Sequence, residues 1–195
     1  MKIEPITLTG RIVRLVPLDL DQLTDLTAAG KDESIWDFMR YGVIDSPAKM
    51  RVMIESLLAL QAQGTDLPFT VFHRETGKAI GMTRYLNIET ANCAVEIGGT
   101  WYAPEFQHTG VNTECKYLLL SHAFEDLGCI RVQFKTDLRN FRSQQAIARI
   151  GGVREGVLRN QVILPDGYIR SSVYYSILVE EWPQVKRHLE TLMRR

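Results

Sequence analysis

The sequence predicts an α/β (α+β) fold: one domain on a mixed, mostly antiparallel seven-stranded sheet with helices on both faces. Three observations carry this. The 195 residues, 45% hydrophobic and 24% charged, have the size and composition of a single full-sized core. Apolar spacing switches repeatedly between a period of two and a period near 3.6. The resulting order, β-α-α-β-β-β-α-β-α-β-β, runs without an internal repeat or a linker-like segment.

Each element has a local reason. "RIVRLVPL" (11–18) alternates apolar and polar residues, as a half-buried strand does. "DLDQLTDLTAAG" (19–30) then sets Leu20, Leu23, Leu26 and Thr27 on one helical side, with Gly30 as a stop. "ESIWDFMRYG" is aromatic and irregular. "SPAKMRVMIESLLALQAQG" (46–64) is a helix with Ser46 as cap, Pro47 in the first turn and Gly64 at the close. "PFTVFHR" and "AIGMTRYLNI" form a hairpin through "ETGK", and "CAVEIGGTWYA" is a third strand whose Gly98-Gly99 pair predicts a bulge or splay. A helix is expected from about Asn112 to Leu127, with Cys115 on its apolar face. "CIRVQFKTD" is a strand, and "NFRSQQAIARIGG" a helix capped by Asn140. "VREGVLRNQVIL" and "YIRSSVYYSILV" pair around the turn "PDG". The domain is expected to span residues 1–195, with its core over about 8–182 and a helical tail over 183–195. That tail, in "EEWPQVKRHLETLMRR", suits either a homodimer contact or packing on helix ends.

Composition excludes several function classes. Lys plus Arg and Asp plus Glu both number 23, so neither nucleic acid nor an anionic membrane is implied as a partner. The three cysteines are scattered and the four histidines lack ligand spacing, which argues against a disulfide framework and against a metal site. "MKIEPITLTG" lacks a signal-peptide core, and no apolar run reaches membrane-spanning length. The expectation is a soluble cytoplasmic protein.

The chemistry centres on "FQHTGVNTECK" (106–116), between a strand and a helix. Helix starts leave backbone N–H groups unpaired at a positive dipole end, which favours phosphate. The loop is neither GxxxxGK[ST] nor GxGxxG. Alone, an ordinary βα loop would explain it as well.

Four segments in order give it a context: Gln107–Asn112, Asn140 to Ser143, Arg154–Arg159 ("REGVLR") and Glu181-Trp182. With them, the stretch from Leu8 to Trp182 resembles the GNAT acyl-CoA N-acetyltransferases, in particular the RimJ/RimL-like branch that modifies N-termini of ribosomal proteins. The family motif is Q/R-x-x-G-x-G/A, and Asn112 stands where it ends in a small residue. Asparagine supplies the same backbone N–H, accepts positive φ and caps helices. Its side chain therefore either caps the helix or hydrogen-bonds a phosphate.

The resemblance implies acetyl-CoA as co-substrate, no metal, a splayed central strand and an amine acceptor. Backbone groups of Thr100, Trp101 and Tyr102 would hold the pantetheine. Gln107, His108, Thr109, Gly110, Val111, Asn112 and Thr113 would surround the pyrophosphate, with Asn140, Arg142 and Ser143 at the next helix. Glu96 is the candidate base; a solvent-facing glutamate on an alternating strand explains it equally. Many GNAT enzymes carry a tyrosine acid seven residues after the asparagine, where this chain has Ile147. Ser143 matches the serine of RimL-like enzymes, with Tyr174 and Tyr175 as substitutes. Trp36, Phe38 and Tyr41 would wall the acceptor site, or simply pack the first helices. The alternative function is a catalytically silent acyl-CoA-binding or regulatory module.

Overall fold

A computed structural model describes residues 1–194; Arg195, the last residue of the predicted tail, lies outside them. One sheet holds eight strands: β1 (Leu8–Thr9), β2 (Val13–Pro17), β3 (Leu67–His73), β4 (Ala79–Glu89), β5 (Ala94–Tyr102), β6 (Arg131–Asp137), β7 (Val153–Ile163) and β8 (Ile169–Leu178). Their spatial order is β1-β2-β3-β4-β5-β6-β8-β7, and only the β5–β6 pair is parallel. The seven predicted strands are present. The eighth is β1, a two-residue strand beside β2 that is too short for alternation to reveal.

Helices α1 (Leu23–Ala29) and α2 (Pro47–Ala62) cover one face; α3 (Gly110–Ser121), α4 (Phe141–Arg149) and α5 (Trp182–Met193) cover the other. α2 starts as expected, with Lys49 N–H donating to Ser46 Oγ and Pro47 in the first turn. α1 is preceded by a 3-10 turn, because Asp19 and Gln22 cap it reciprocally. α3 ends at Ser121 and continues as a π turn over His122–Asp126, where the sequence predicted plain helix to Leu127. The wider turn brings His122, Ala123 and Phe124 all inward.

Each face has its own apolar core. Phe69, Tyr85, Ile97, Leu119 and Phe134 lie on the α3–α5 side; Met50, Ile54, Met82 and Trp101 lie on the α1–α2 side. α5 buries Trp182, Val185 and Leu189 in the first core, and Trp182 stacks on Phe124 at 5.4 Å. The tail thus uses its apolar face within the chain, the second of the two readings of that segment.

A long-range tie fixes the start of the sheet to α3. The amides of Arg11, Ile12 and Val13 donate to the buried Glu114 carboxylate at 2.8, 2.6 and 2.8 Å. Gly10 permits this approach, since a Cβ there would come within 2.5 Å of that carboxylate.

Candidate active site

The Gly98-Gly99 bulge predicted from sequence is present. Arg84 pairs with Gly98 and Met82 with Trp101, so Thr83 alone opposes Gly99 and Thr100. Gly99 adopts φ +57°, a left-handed value that glycine takes without penalty. The bulge bends β5 away from β6, and their ladder runs only from Ala94–Arg131 to Glu96–Gln133. Beyond Glu96 the two strands part and leave a gap in the sheet.

Backbone groups of β5 turn into this gap. Ala103 N–H donates back to Ile80 at 2.8 Å, so Tyr102, at the non-hydrogen-bonded position opposite Gly81, aims its own N–H and C=O towards β6. Thr100, two residues earlier, shares that direction. Their side chains are engaged elsewhere. Thr100 Oγ1 accepts from Lys116 Nζ at 2.7 Å and lies 2.9 Å from Thr83 Oγ1, while Tyr102 donates to Asn112 Oδ1 at 3.3 Å. Trp101 packs on Trp36, ring centroids 5.1 Å apart.

Two helix starts meet at the mouth of the gap. α3 begins at Gly110 with Thr109 as its cap, Val111 N–H donating to Thr109 Oγ1 at 3.3 Å. Asn112 is therefore not the cap; it lies inside the first turn and receives the Tyr102 hydroxyl. His108 is exposed at φ +59°. The side chains of Val111 and Thr113 are buried behind the loop, Thr113 Oγ1 accepting from Arg149 at 3.0 Å, and the Val111 N–H is taken by Thr109, so the amides of Gly110 and Asn112 are the open donors of the first turn. Asn140 caps α4 as expected, its Oδ1 accepting from Ser143 N–H at 2.9 Å. Arg142 then donates to Gln107 Oε1 at 2.9 Å while Gln107 Nε2 holds the Tyr102 carbonyl at 3.0 Å. This chain of contacts joins both helix starts to β5.

Glu96 lies where the gap opens. It is 3% exposed, so the solvent-facing alternative fails. Alternation with Val95 and Ile97 turns it to the α1–α2 side, where Asn87 and Gln133 each donate to Oε2 at 2.9 Å and Lys135 Nζ lies 3.6 Å away. The same face continues through Gln133, Lys135 and Asp137 of β6 and Arg170, Ser172 and Tyr174 of β8, by the registers Gln133–Ser176, Lys135–Tyr174 and Asp137–Ser172. α1 and α2 pack over β3 and β4, so this polar strip forms a floor beside the gap, in which Glu96, Asp137, Arg170 and Ser172 are buried and Gln133, Lys135 and Tyr174 are half-buried. Sequence reasoning missed Asn87, Gln133, Lys135, Asp137 and Arg170. Their signal was the polar alternation in "RVQFKTD" and "IRSSVYYSIL", without any mark of which face lies beside the gap. Tyr174 is on the floor and Tyr175 is in the core, as expected of one of the pair.

Of the predicted acceptor-wall residues, Phe38 and Tyr41 are half-buried at the edge of the floor, beneath the guanidinium groups of Arg139 (5.7 Å) and Arg84 (6.0 Å). Trp36 is not there. It is 2% exposed, packed on Trp101, with its indole N–H on Gly30 O at 3.0 Å.

Two buried titratable groups flank the bulge. Cys115 is in the core as expected, and burial pushes its thiol up to about 12. Burial lowers Lys116 from 10.5 to about 8, with the neighbouring Cys115 opposing the shift. A lysine depressed in the folded state binds fewer protons than its unfolded counterpart between those two values, so its linkage raises stability as pH climbs through that window. The stability of wild type relative to Lys116→Met is expected to rise from pH 8 to pH 10 by up to about 3 kcal/mol, read from urea midpoints. A constant difference would show that Lys116 keeps an ordinary proton affinity.

A split sheet, backbone groups turned into the split and two helix starts at its mouth form a groove whose donors suit an extended ligand with an anionic end. The chain belongs to the GNAT acetyltransferase family: residues 12–153 match the acetyltransferase (GNAT) domain. That family is one of acetyltransferases that use acetyl-CoA. The RimJ/RimL-like resemblance is borne out by its relatives. It is 35% identical over 106 residues to YdaF of Bacillus subtilis (strain 168), a protein carrying the name of a ribosomal N-acetyltransferase. That match covers 54% of this chain and 57% of YdaF, so the matched stretch spans little more than half of that relative. Identity is 25% over 135 residues to the ribosomal-protein-serine acetyltransferase of Escherichia coli (strain K12), covering 69% of this chain and 74% of that one. A GCN5-related N-acetyltransferase from Brucella melitensis superposes with TM-score 0.92 at 25% identity, over 99% of this chain and 87% of that chain. Mycobacterium smegmatis RimJ in complex with CoA-disulfide shares the fold, with TM-score 0.82 at 22% identity over 97% and 96% of the chains. Among the described residues, no helix is long and apolar enough to cross a membrane, and no group of three or more His, Cys, Asp or Glu could hold a metal ion.

Proposed function

We propose that the protein moves the acetyl group of acetyl-CoA onto a primary amine by direct attack in a ternary complex. The acceptor is the N-terminal α-amine of a protein or peptide, or a small-molecule amine. The gap between β5 and β6 carries this reading. The main chain of Thr100 and the N–H of Tyr102 suit the amides of a pantetheine arm, while the Trp101 main chain pairs with β4; the Gln107–Thr113 loop with its helix start suits a pyrophosphate. Arg142, Asn140 and the exposed His108 add donors at that mouth.

Holding amine and thioester together supplies much of the rate. Glu96 takes the proton that the attacking nitrogen must lose. As the N–C bond forms and the C–S bond breaks, the Ser143 hydroxyl hydrogen-bonds the departing sulfur. Ser143 suits this task because it is half-buried in the first turn of α4 and its own N–H is already held by Asn140. An α-amine, with a pKa near 8, needs less help from a base than a lysine-like amine near 10.4.

Calorimetry with coenzyme A and acetyl-CoA tests the binding half. Both are expected to bind, saturation at 100 times Kd should add about 2.7 kcal/mol of stability, and Arg142→Ala should weaken binding several-fold. Absence of any affinity on folded protein would remove the reading altogether. Free-thiol release with a panel of amines and peptides tests the transfer half. Stabilisation by acetyl-CoA with no turnover on any acceptor would favour the silent binding module.

A further inference from the structure

The charges on the floor beside the gap do not balance. Three acids there each have a cation of their own. Asp66 pairs with Arg84 at 2.8 Å, Glu96 with Lys135 at 3.6 Å and Asp137 with Arg139 at 2.9 Å. Two further cations, Arg170 and Arg40, are in no ion pair among the described residues.

Arg170 is the unusual one. It is 5% exposed, and Nε donating to Ser172 Oγ at 3.0 Å is the single hydrogen bond its guanidinium makes among the described residues. A guanidinium offers five N–H donors, so both Nη groups remain unused. Arg170 and Ser172 share a face of β8, so the contact leans the side chain along the floor towards Tyr174 and Glu96. Burial works against its charge most; Asp137 favours it, Arg40 opposes it and Glu96 favours it more weakly. A buried cation without an ion partner of its own is unfavourable, and a second cation acting on it adds to that. An anion placed between the two would satisfy the free Nη groups and relieve the repulsion. The planar fork of Arg170 matches a carboxylate.

We propose that Arg170, with Arg40 at the rim, binds a carboxylate of the acceptor, so that the acetylated amine belongs to a carboxylate-bearing molecule. This rests on the acetyl-transfer reading above and narrows its substrate class. Two sources share the chemistry: the α-carboxylate of a free amino acid, and an acidic side chain just after a peptide N-terminus. A polyamine is excluded, because its second charge would meet two unpaired cations.

The test compares acetylation of acceptors matched except for the anion and its effect on amine basicity, with kcat/KM taken per neutral amine. Serine against serinamide probes the first source; Ser-Asp-Phe-amide against Ser-Asn-Phe-amide probes the second. In at least one pair the carboxylate form is expected to have the higher kcat/KM by about tenfold or more, arising in KM. Arg170→Gln should bring that ratio close to one, Arg170→Lys should restore part of it, and the exposed Arg40→Gln should reduce it even where the Arg170 variants fold poorly. Turnover of the amides and carboxylates at equal efficiency by wild type would overturn the proposal while leaving acetyl transfer intact. An equal loss on charged and neutral acceptors in both the Arg170→Gln and Arg40→Gln variants would do the same. No turnover of any acceptor would instead remove the acetyl-transfer reading on which the proposal rests.

Discussion

Glu114→Ala is expected to lower the stability of the fold by about 3–5 kcal/mol while leaving the gap's own residues untouched. The carboxylate is 4% exposed and receives three amides from residues 11–13, more than a hundred positions earlier in the chain. Hydrogen bonds to a charged acceptor contribute about 1.5–3 kcal/mol each, and an amide left unpaired in a partly buried site costs about 1–3. The three effects are not additive, because the turn at Gly10–Val13 can partly open to water. A chain of this size loses about 2–4 °C of Tm per kcal/mol, so a drop of roughly 10–15 °C should follow. Glu114→Gln retains one acceptor oxygen and should fall between wild type and alanine. A Tm within 3 °C of wild type for the alanine variant would show that this tie contributes little.

Glu96→Gln is expected to reduce kcat by about 10²–10⁴ with acetyl-CoA affinity little changed, as loss of a general base does. The amide retains the carboxylate's size and one acceptor oxygen for the Asn87 and Gln133 donors, so the floor should stay folded. Ser143→Ala, made alongside, should slow transfer by about tenfold through the poorer leaving sulfur. If Glu96→Gln slows turnover by less than tenfold, Glu96 is a structural acceptor for Asn87, Gln133 and Lys135, and the base lies elsewhere.

Features encoded within a few residues were legible. The Gly98-Gly99 pair announced a bulge because glycine inside a strand weakens pairing and permits the left-handed φ that Gly99 adopts. Asn140 and Ser46 read correctly as caps because the cap contact spans only three residues. The Asn112 cap did not hold. Thr109 is also a good cap, and burial of Val111 in the core is compatible with a helix that already begins at Gly110. Trp36 read either as an acceptor-wall residue or as packing for the first helices, and the sequence could not choose, because its partner Trp101 lies 65 positions away and only the fold brings the rings together. Even the order of the elements left the sheet one strand short, since β1 exists only through its pairing with β2.

By itself, the sequence determined the succession of strands and helices, the bulge in β5, the helix start after Gln107 and the family they resemble. Periodicity, capping and glycine conformation act over a turn or two of chain, so they are written locally. Tertiary structure alone decided which face of β6 and β8 lies beside the gap, how Glu96 is surrounded, and that Arg170 is buried without an ion pair of its own. Those are relations between charges brought together from distant strands, and their energies depend on burial and on neighbours that no local pattern specifies.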